Sequence, residues 1–167
     1  MILTQDIILK EISKKRIIIE PFDTSSLGPA SLDLTLDNQL RIFTSRKKTF
    51  IHGHMDYKEV TKLIDISGGY VLKPKEFVLG ITQEKISLPE DICGWLNSRS
   101  RFARIGLMSH ITAPFICPGV CNKQVLEIYN VGPKKIKLFP GMKICQIVFQ
   151  RCEGKASYQG KFKDQTL

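Results

Sequence analysis

Alternating hydrophobic and polar positions dominate the chain and predict β-strands. The segment SLDLTLDNQL places Leu32, Leu34 and Leu36 on one side of a strand, with polar residues between them. Similar short apolar segments recur at roughly ten-residue intervals, separated by turns such as KPKE, VGPKK and PGMK. This pattern is typical of a β-sandwich or barrel, so the fold is predicted to be all-β. The further predicted strands cover residues 70–72, 77–81, 124–130, 136–139 and 144–150.

The first residues have helical spacing instead. Ile7, Ile8 and Ile12 recur at intervals that place them on one face of a helix, and Thr4 is the expected N-cap. No internal repeat or linker divides the 167 residues, so one domain is predicted over the whole chain. Its polar end, from about residue 153 to 167, contains two glycines and is expected to be a flexible tail.

A second short helix is predicted near residues 98–105. Ser98 is its expected N-cap, and Gly106 lies where the helix would end. Because residues four apart share a helix face, Ser100 and Arg104 are expected to lie side by side, opposite an apolar side.

The same stretch has the composition of an anion site. Arg99, Ser100, Arg101 and Arg104 stand within six residues. Backbone N–H groups of a helix start and bidentate guanidinium groups together favour a phosphate or carboxylate ligand. The alternative is an amphipathic turn whose arginines simply face water, and the pattern alone leaves both interpretations open.

Composition and charge narrow the class of partner. The formal charge of +9 favours an anionic ligand, and both nucleic acids and nucleoside phosphates qualify. Nucleic-acid binding is the less favoured, because aromatic platforms do not alternate with the arginines.

No apolar run approaches the roughly 20 residues that a membrane-spanning helix needs, and the N-terminus lacks the features of a signal peptide. A cytoplasmic protein without a membrane partner is therefore expected. Much of the excess charge lies in runs at 46–48, 134–135 and 161–163.

Cysteine and histidine usage does not favour a metal site. An odd number of cysteines without paired spacing fits reduced thiols, several of them buried. The His52-Gly53-His54 sequence could bind a metal, but no second ligand cluster accompanies it, so no protein-bound metal is predicted. The cysteines are Cys93, Cys117, Cys121, Cys145 and Cys152.

The segment QVLEIYN contains a carboxylate in unusual surroundings. On a strand, Val125, Glu127 and Tyr129 share one face, and Leu126 and Ile128 share the other. Both faces are largely apolar, so the strand is expected to be buried on both sides. A buried carboxylate must be paired, protonated or used in chemistry. Glu127 is therefore either a general acid and base or the partner of a lysine or arginine at a subunit interface.

Four segments of the sequence resemble a known family. The segments SLGPASLDLTL, NSRSRFARIGLMSHITA, VLEIYNVGPKKIKLFPGMKICQIVF and YQGKFKDQ are similar to dCTP deaminases of the trimeric dUTPase superfamily. The likeness covers nearly the whole chain. It implies a distorted jelly-roll (β-clip) fold and a homotrimer with active sites at subunit interfaces. It also implies that the tail closes over a bound nucleotide, dCTP or dUTP.

The resemblance assigns roles to individual residues. Glu127 aligns with the catalytic glutamate, Ser100 and the carbonyl near Ala113 hold the attacking water, and Arg104 supports both glutamate and substrate. The arginine-rich stretch holds the triphosphate, and Val125 and Leu126 line the cytosine site through their backbone. The full set of implied substrate-binding residues is Arg99, Ser100, Arg101, Arg104, Thr112, Ala113, Cys117, Val125, Leu126, Glu127, Tyr158, Lys161 and Gln165.

The implied reaction is zinc-independent conversion of dCTP and water to dUTP and ammonia. Zinc nucleobase deaminases need an H-x-E and a P-C-x-x-C motif. Here Asp56 stands two residues after His54, and three residues separate Cys117 from Cys121. Magnesium is implied as a companion of the triphosphate rather than as an ion held by the protein.

The sequence also departs from the family pattern. Cys117 replaces an aspartate that contacts the deoxyribose and that, in dUTPases, activates water; a thiol accepts hydrogen bonds only weakly. Asn122 replaces a glycine, and Arg101 replaces a small hydroxyl residue. The interpretation favoured at this stage is therefore a deaminase that stops at dUTP. The alternatives are a dUTPase or bifunctional enzyme releasing dUMP and pyrophosphate, and a non-catalytic nucleotide-binding paralogue.

Overall fold

The computed structural model describes residues 1–44 and 56–167, and it is mostly β, with 44% strand and 12% helix. The basic run at 46–48 and the histidines at 52 and 54 lie outside the described residues. The helices are α1 (Gln5–Ser13) and α2 (Ser100–Ala103), and short 3-10 turns span Thr24–Ser26 and Tyr57–Glu59. The strands are β1 (Ile18–Glu20), β2 (Leu32–Phe43), β3 (Thr61–Asp65), β4 (Tyr70–Leu72), β5 (Phe77–Ser87), β6 (Ile92–Ser98), β7 (Leu107–Met108), β8 (Phe115–Ile116), β9 (Cys121–Asn130), β10 (Ile136–Leu138) and β11 (Lys143–Arg151).

A curled antiparallel sheet forms the body of the described structure. Its strand order is β7-β9-β5-β2-β11-β6-β8, with β1 added beside β5 and β3 beside β2; β4 and β10 form a separate pair. The long strand β2 joins the two parts, because its first residues pair with β11 and its later residues pair with β5 and β3. The predicted all-β class is confirmed.

The hydrophobic pattern of β2 explains why it lies at the centre. Leu32, Leu34 and Leu36 are at most 1% exposed, whereas Asp33 and Thr35 between them are half-buried. Burying a leucine side chain completely contributes roughly 1.5–3 kcal/mol. Apolar side chains from both parts of the curled sheet join these leucines in one continuous core, which includes the fully buried Phe149 of β11.

Charged side chains attach the N-terminal helix to the sheet. Arg16, just after α1, lies 2.6 Å from the Glu11 carboxylate and 2.7 Å from that of Asp91. Arg151, at the end of β11, lies 2.9 Å from the second oxygen of Glu11. Burial by itself would raise the pKa of Glu11, but the two guanidinium groups outweigh this effect and lower it. The buried Glu11 carboxylate is thus kept ionised by two arginines.

Both predicted helices are present, with a corrected start for the second. Thr4 is the N-cap residue of α1, although its hydroxyl bonds to the side chain of Asp6. The N-cap of α2 is Arg99, so the prediction of Ser98 was wrong. Ser98 ends β6, and its hydroxyl accepts hydrogen bonds at 3.0 Å from the backbone N–H and the hydroxyl of Ser109. The helix also ends earlier than predicted, at Ala103, and a turn over residues 104–106 follows it and includes Gly106 with φ of +89°. Within the described part of the chain, no helix is long and apolar enough to span a membrane.

Candidate functional site

A cavity of about 400 Å³ opens beside the half-buried face of β9. Its size falls within the range of small-ligand sites, which are mostly apolar with a few placed polar groups. The other walls come from strand β8 and the segment preceding it, from the C-terminal tail, and from Phe43, Tyr57, Phe77, Leu79 and Leu96. The polar and reactive side chains in these walls include Glu127, His110, Cys117, Tyr158 and Gln165.

Glu127 is held in this cavity by hydroxyl and backbone donors. One carboxylate oxygen, Oε2, accepts hydrogen bonds from the Thr112 backbone N–H at 2.7 Å and from its hydroxyl at 2.6 Å. Among the residues that the structure describes, no lysine or arginine forms an ion pair with Glu127. The carboxylate is therefore oriented by hydrogen-bond donors of Thr112 rather than by a cation.

The alternation predicted for β9 is present, but one expectation about it was wrong. Leu126 and Ile128 are fully buried in the core. Val125, Glu127 and Tyr129 are half-buried instead, and Val125 and Glu127 line the cavity. The side chain of Leu126 therefore points away from the cavity, and this residue can face a ligand only through its backbone.

His110 is a cavity residue that sequence reasoning missed. Its Nδ1 accepts a long hydrogen bond, 3.4 Å, from the backbone N–H of Glu127. With Nδ1 as acceptor, a neutral imidazole carries its proton on Nε2. That Nε2 is buried and has no hydrogen-bond partner among the described residues. The sequence feature that could have identified His110 is its position two residues before Thr112, in a segment that the resemblance already assigned to the substrate site.

The arginine-rich helix lies apart from this cavity. The Arg99 guanidinium group contacts residues of the same chain. It lies 2.9 Å from the Asp33 carboxylate and donates a hydrogen bond of 2.7 Å to the Lys143 carbonyl. Ser100, Arg101 and Arg104 are exposed and do not line the cavity. In one chain, the predicted phosphate-binding residues and the predicted catalytic carboxylate therefore form two separate surfaces.

The C-terminal tail lies across the cavity. Tyr158 and Gln165, both predicted from the resemblance, line it, and Phe162 lines it as well. The Gln165 side-chain amide donates to the Lys123 carbonyl at 2.9 Å. Lys161 is exposed, with its ammonium group 5.9 Å from the centre of the Phe162 ring. The role of the tail in closing over a nucleotide stays a prediction.

The remaining predicted residues occupy distinct positions around the cavity. Ala113 and Val125 line it directly, and Thr112 reaches it through Glu127. Cys117 lines it at the end nearest the root of the tail. All five cysteines are free, as predicted. Burial, together with the neighbouring Cys152 thiol, raises the pKa of Cys93 to about 11, so that thiol stays protonated.

No protein-only metal site is visible in residues 1–44 and 56–167, where no group of three or more histidine, cysteine, aspartate or glutamate side chains could bind an ion. The possible His52 and His54 ligands fall outside these ranges.

Comparison with known proteins gives concordant matches. The family model described as "dCTP deaminase-like" matches residues 2–152. The chain is 37% identical over 174 residues to the "dCTP deaminase, dUMP-forming" of Nocardioides sp., covering 99% of this chain and 91% of the relative. It is 41% identical over 158 residues to the protein of the same name from Mycolicibacterium smegmatis, covering 93% and 84%.

Two solved structures support the fold. The 2'-deoxycytidine 5'-triphosphate deaminase from Agrobacterium tumefaciens superposes with a TM-score of 0.72 at 23% identity. That match covers 91% of this chain but 48% of the Agrobacterium chain, so the present chain spans about half of its length. A dUTPase of Staphylococcus bacteriophage 80alpha superposes with a TM-score of 0.52 at 15% identity, covering 87% and 96%. At these identities the two structures establish a shared dUTPase-like fold and nothing finer.

Proposed function

The chain belongs to the dCTP deaminase-like family, and from this premise we propose that it converts dCTP to dUMP, with Glu127 moving the protons of the deamination step. The observation that carries the catalytic part is the Glu127 carboxylate, oriented in a cavity by two donors of Thr112. The product assignment follows the relatives, which are named dUMP-forming at 37–41% identity. This replaces dUTP, which the sequence analysis favoured as the final product.

The deamination step needs one group that both takes and returns protons. Water adds to C4 of the cytosine ring as Glu127 accepts one of its protons, and the carboxylic acid then protonates the ring nitrogen N3. Glu127 then takes the proton of the new C4 hydroxyl and passes it to the amino group, so that the C4–N bond breaks, ammonia leaves and the uracil carbonyl forms. General acid and base catalysis of this kind contributes about 10²–10⁴ in rate.

Neighbouring groups of the site would orient the water and stabilise the charge. We assign the hydroxyl of Ser100 and the carbonyl near Ala113 to the attacking water, and Arg104 to the support of Glu127 and substrate. Preorganised donors in a site shielded from water stabilise developing charge more than bulk water does. The reaction proposed here is zinc-independent, because the chain carries neither sequence motif of the zinc deaminases.

We propose that the site is completed by a second copy of the chain in a homotrimer. The reason is the separation within one chain, where the exposed Ser100, Arg101 and Arg104 do not line the cavity that holds Glu127. A subunit interface would bring the arginines of one copy beside the carboxylate of its neighbour. Bidentate guanidinium groups suit the triphosphate, and we assign Mg²⁺ to phosphate oxygens, which are ligands that this ion prefers.

A second candidate function is a deaminase that stops at dUTP. Cys117 favours it, because this thiol lines the cavity at the position where the family pattern has an aspartate. Conversion of dUTP to dUMP and pyrophosphate needs a second water to be activated, and a thiol is a weak hydrogen-bond acceptor for that task. The two candidates share the deamination step and differ in the final product.

One assay separates these functions. The protein is incubated with dCTP and magnesium, and ammonia, dUTP, dUMP and pyrophosphate are followed separately; dUTP is tested as a substrate in parallel. Equal amounts of ammonia, dUMP and pyrophosphate are expected. Ammonia with accumulating dUTP would support the second candidate. Nucleotide binding without any of these products would contradict both and indicate a non-catalytic paralogue.

A further inference from the structure

The side chain of Asn122 connects the sheet to the C-terminal tail. This residue of β9 is 6% exposed, and its Nδ2 donates to the Phe162 carbonyl at 2.9 Å and to the Lys163 carbonyl at 3.0 Å. Its Oδ1 accepts from Nε2 of the equally buried Gln124 at 2.7 Å. Both donors and the acceptor of the amide are thus in use, which fixes the orientation of the side chain.

Asn122 contacts the middle of the tail, between two other attachment points. At its root, the Tyr158 N–H donates to the Pro118 carbonyl at 3.0 Å. Near its end, the Gln165 amide donates to the Lys123 carbonyl at 2.9 Å. The two bonds from Asn122 lie between these contacts and hold the segment that carries Phe162 over the cavity.

We infer that Asn122, which itself lines the cavity, is a positioning residue that holds the tail over Glu127 through contacts that need no bound nucleotide. The bonds run from a side chain to backbone carbonyls, so they need no ligand and do not depend on the identity of the tail side chains.

The kinetic consequence rests on the proposed function. Ordering a loop on binding costs free energy that subtracts from affinity, and ordering it in advance removes that cost. With Asn122 present, dCTP meets a tail that already lies in place. Loss of the side chain transfers the cost of ordering to the binding step, so KM rises while the chemical step at Glu127 is unchanged.

Limited trypsin cleavage of the nucleotide-free protein tests the closure directly. The bond after Lys161 adjoins Phe162, whose carbonyl Asn122 holds, and the bond after Lys155 precedes Ala156, whose N–H is held by Glu90. In Asn122→Ala, we expect cleavage after Lys161 to accelerate about tenfold or more, because two lost hydrogen bonds shift local opening by that order. Cleavage after Lys155 should stay within twofold of wild type and serves as the internal reference.

A second variant and a control complete this experiment. Asn122→Asp keeps the size of the side chain, lacks both donors and places a carboxylate against two carbonyls, so it should also accelerate cleavage after Lys161. If Asn122→Ala does not fold, Asn122→Asp is used in its place. Cys121→Ser, at the exposed neighbouring position of β9, should behave as wild type. Unchanged cleavage after Lys161 in a folded Asn122 variant overturns the inference.

Steady-state kinetics supply a readout that a purely structural role would not produce. For Asn122→Ala we expect KM for dCTP to rise about tenfold and kcat to stay within twofold. A fall in kcat at unchanged KM would overturn the positioning role. If the wild-type protein does not act on dCTP while Asn122 variants still open the tail, the proposed function fails and the inference about closure stands.

Discussion

Replacing Glu127 with glutamine separates the proton-transfer role of this residue from its structural role. Glutamine has nearly the same shape, and its carbonyl oxygen can accept the two hydrogen bonds that Thr112 donates at 2.7 and 2.6 Å. It cannot take a proton from water. We therefore expect Glu127→Gln to bind dCTP within about threefold of wild type and to lose about 10²–10⁴ of its deamination rate.

The structure also sets the expected stability of this variant. Each bond from Thr112 changes from a charge-assisted to a neutral hydrogen bond, which weakens it by about 1 kcal/mol. Two such bonds give a loss of about 1–2 kcal/mol in the free energy of unfolding, or a decrease in Tm of about 2–8 °C for a chain of this size. The loss of activity should thus greatly exceed anything that partial unfolding could cause.

The measurements are ammonia release under saturating dCTP, calorimetric binding of dCTP and a thermal melt. Glu90→Gln is the matched control, since Glu90 is exposed and should show wild-type values in all three. If folded Glu127→Gln keeps more than a tenth of wild-type deamination, another group moves the protons and the reasoning is refuted. A variant that neither binds dCTP nor melts cooperatively would show that the charge is needed for the fold.

Three further perturbations test other parts of the structure. Cys117→Asp supplies the acid that the family pattern has at this position, so release of pyrophosphate from dUTP should increase at least tenfold in a product assay. If it does not increase, the residue at position 117 does not limit the conversion of dUTP to dUMP. Because the pKa of Glu11 lies below its ordinary value of 4.5, its ion pairs stabilise the fold above pH 4.5 and are lost as pH falls further. Urea unfolding should therefore show a loss of stability below that pH, which Glu11→Gln reduces; an unchanged profile would contradict the assignment. Phe149→Ala empties a fully buried core position and should lower the free energy of unfolding by about 3–5 kcal/mol, whereas a loss under 1 kcal/mol would mean that the core collapses around it.

The proposed division of the site between two surfaces of neighbouring copies would have a physical advantage. The cavity with Glu127 can shield a ring and a reacting water, because its walls are mostly apolar and the tail lies across it. In the proposed homotrimer the exposed arginines would stay hydrated until a polyphosphate neutralised them, which would avoid burying unpaired cations within one chain. Assembly would then join the two surfaces without either one compromising the stability of the monomer.

Local pattern predicted β2, β4, β9, β10, β11 and the first half of β5, because each depends on a few neighbouring residues, but it did not predict β1, β3, β6, β7 or β8. The alternation from Leu32 to Leu36 placed the core face of β2 correctly, since the period of a strand leaves little choice once one side is buried. Gly106 lies three residues beyond the end of α2 at Ala103, in the turn that follows, where its φ of +89° favours glycine. Ser98 was misread as a cap because its actual partner, Ser109, lies 11 residues further along the chain.

The alternating pattern and the family motifs were enough to predict the all-β class and the family, and they singled out Glu127 as the candidate catalytic carboxylate. The surroundings of the individual side chains, in contrast, depend on the tertiary structure. It brought Thr112 to Glu127, placed His110 in the wall of the cavity and joined Asn122 to a tail 40 residues away. These contacts escape sequence reasoning because a hydrogen bond depends on tenths of an ångström between atoms far apart in the chain. Such distances are fixed by the curl of the sheet as a whole, and no local pattern of residues encodes them.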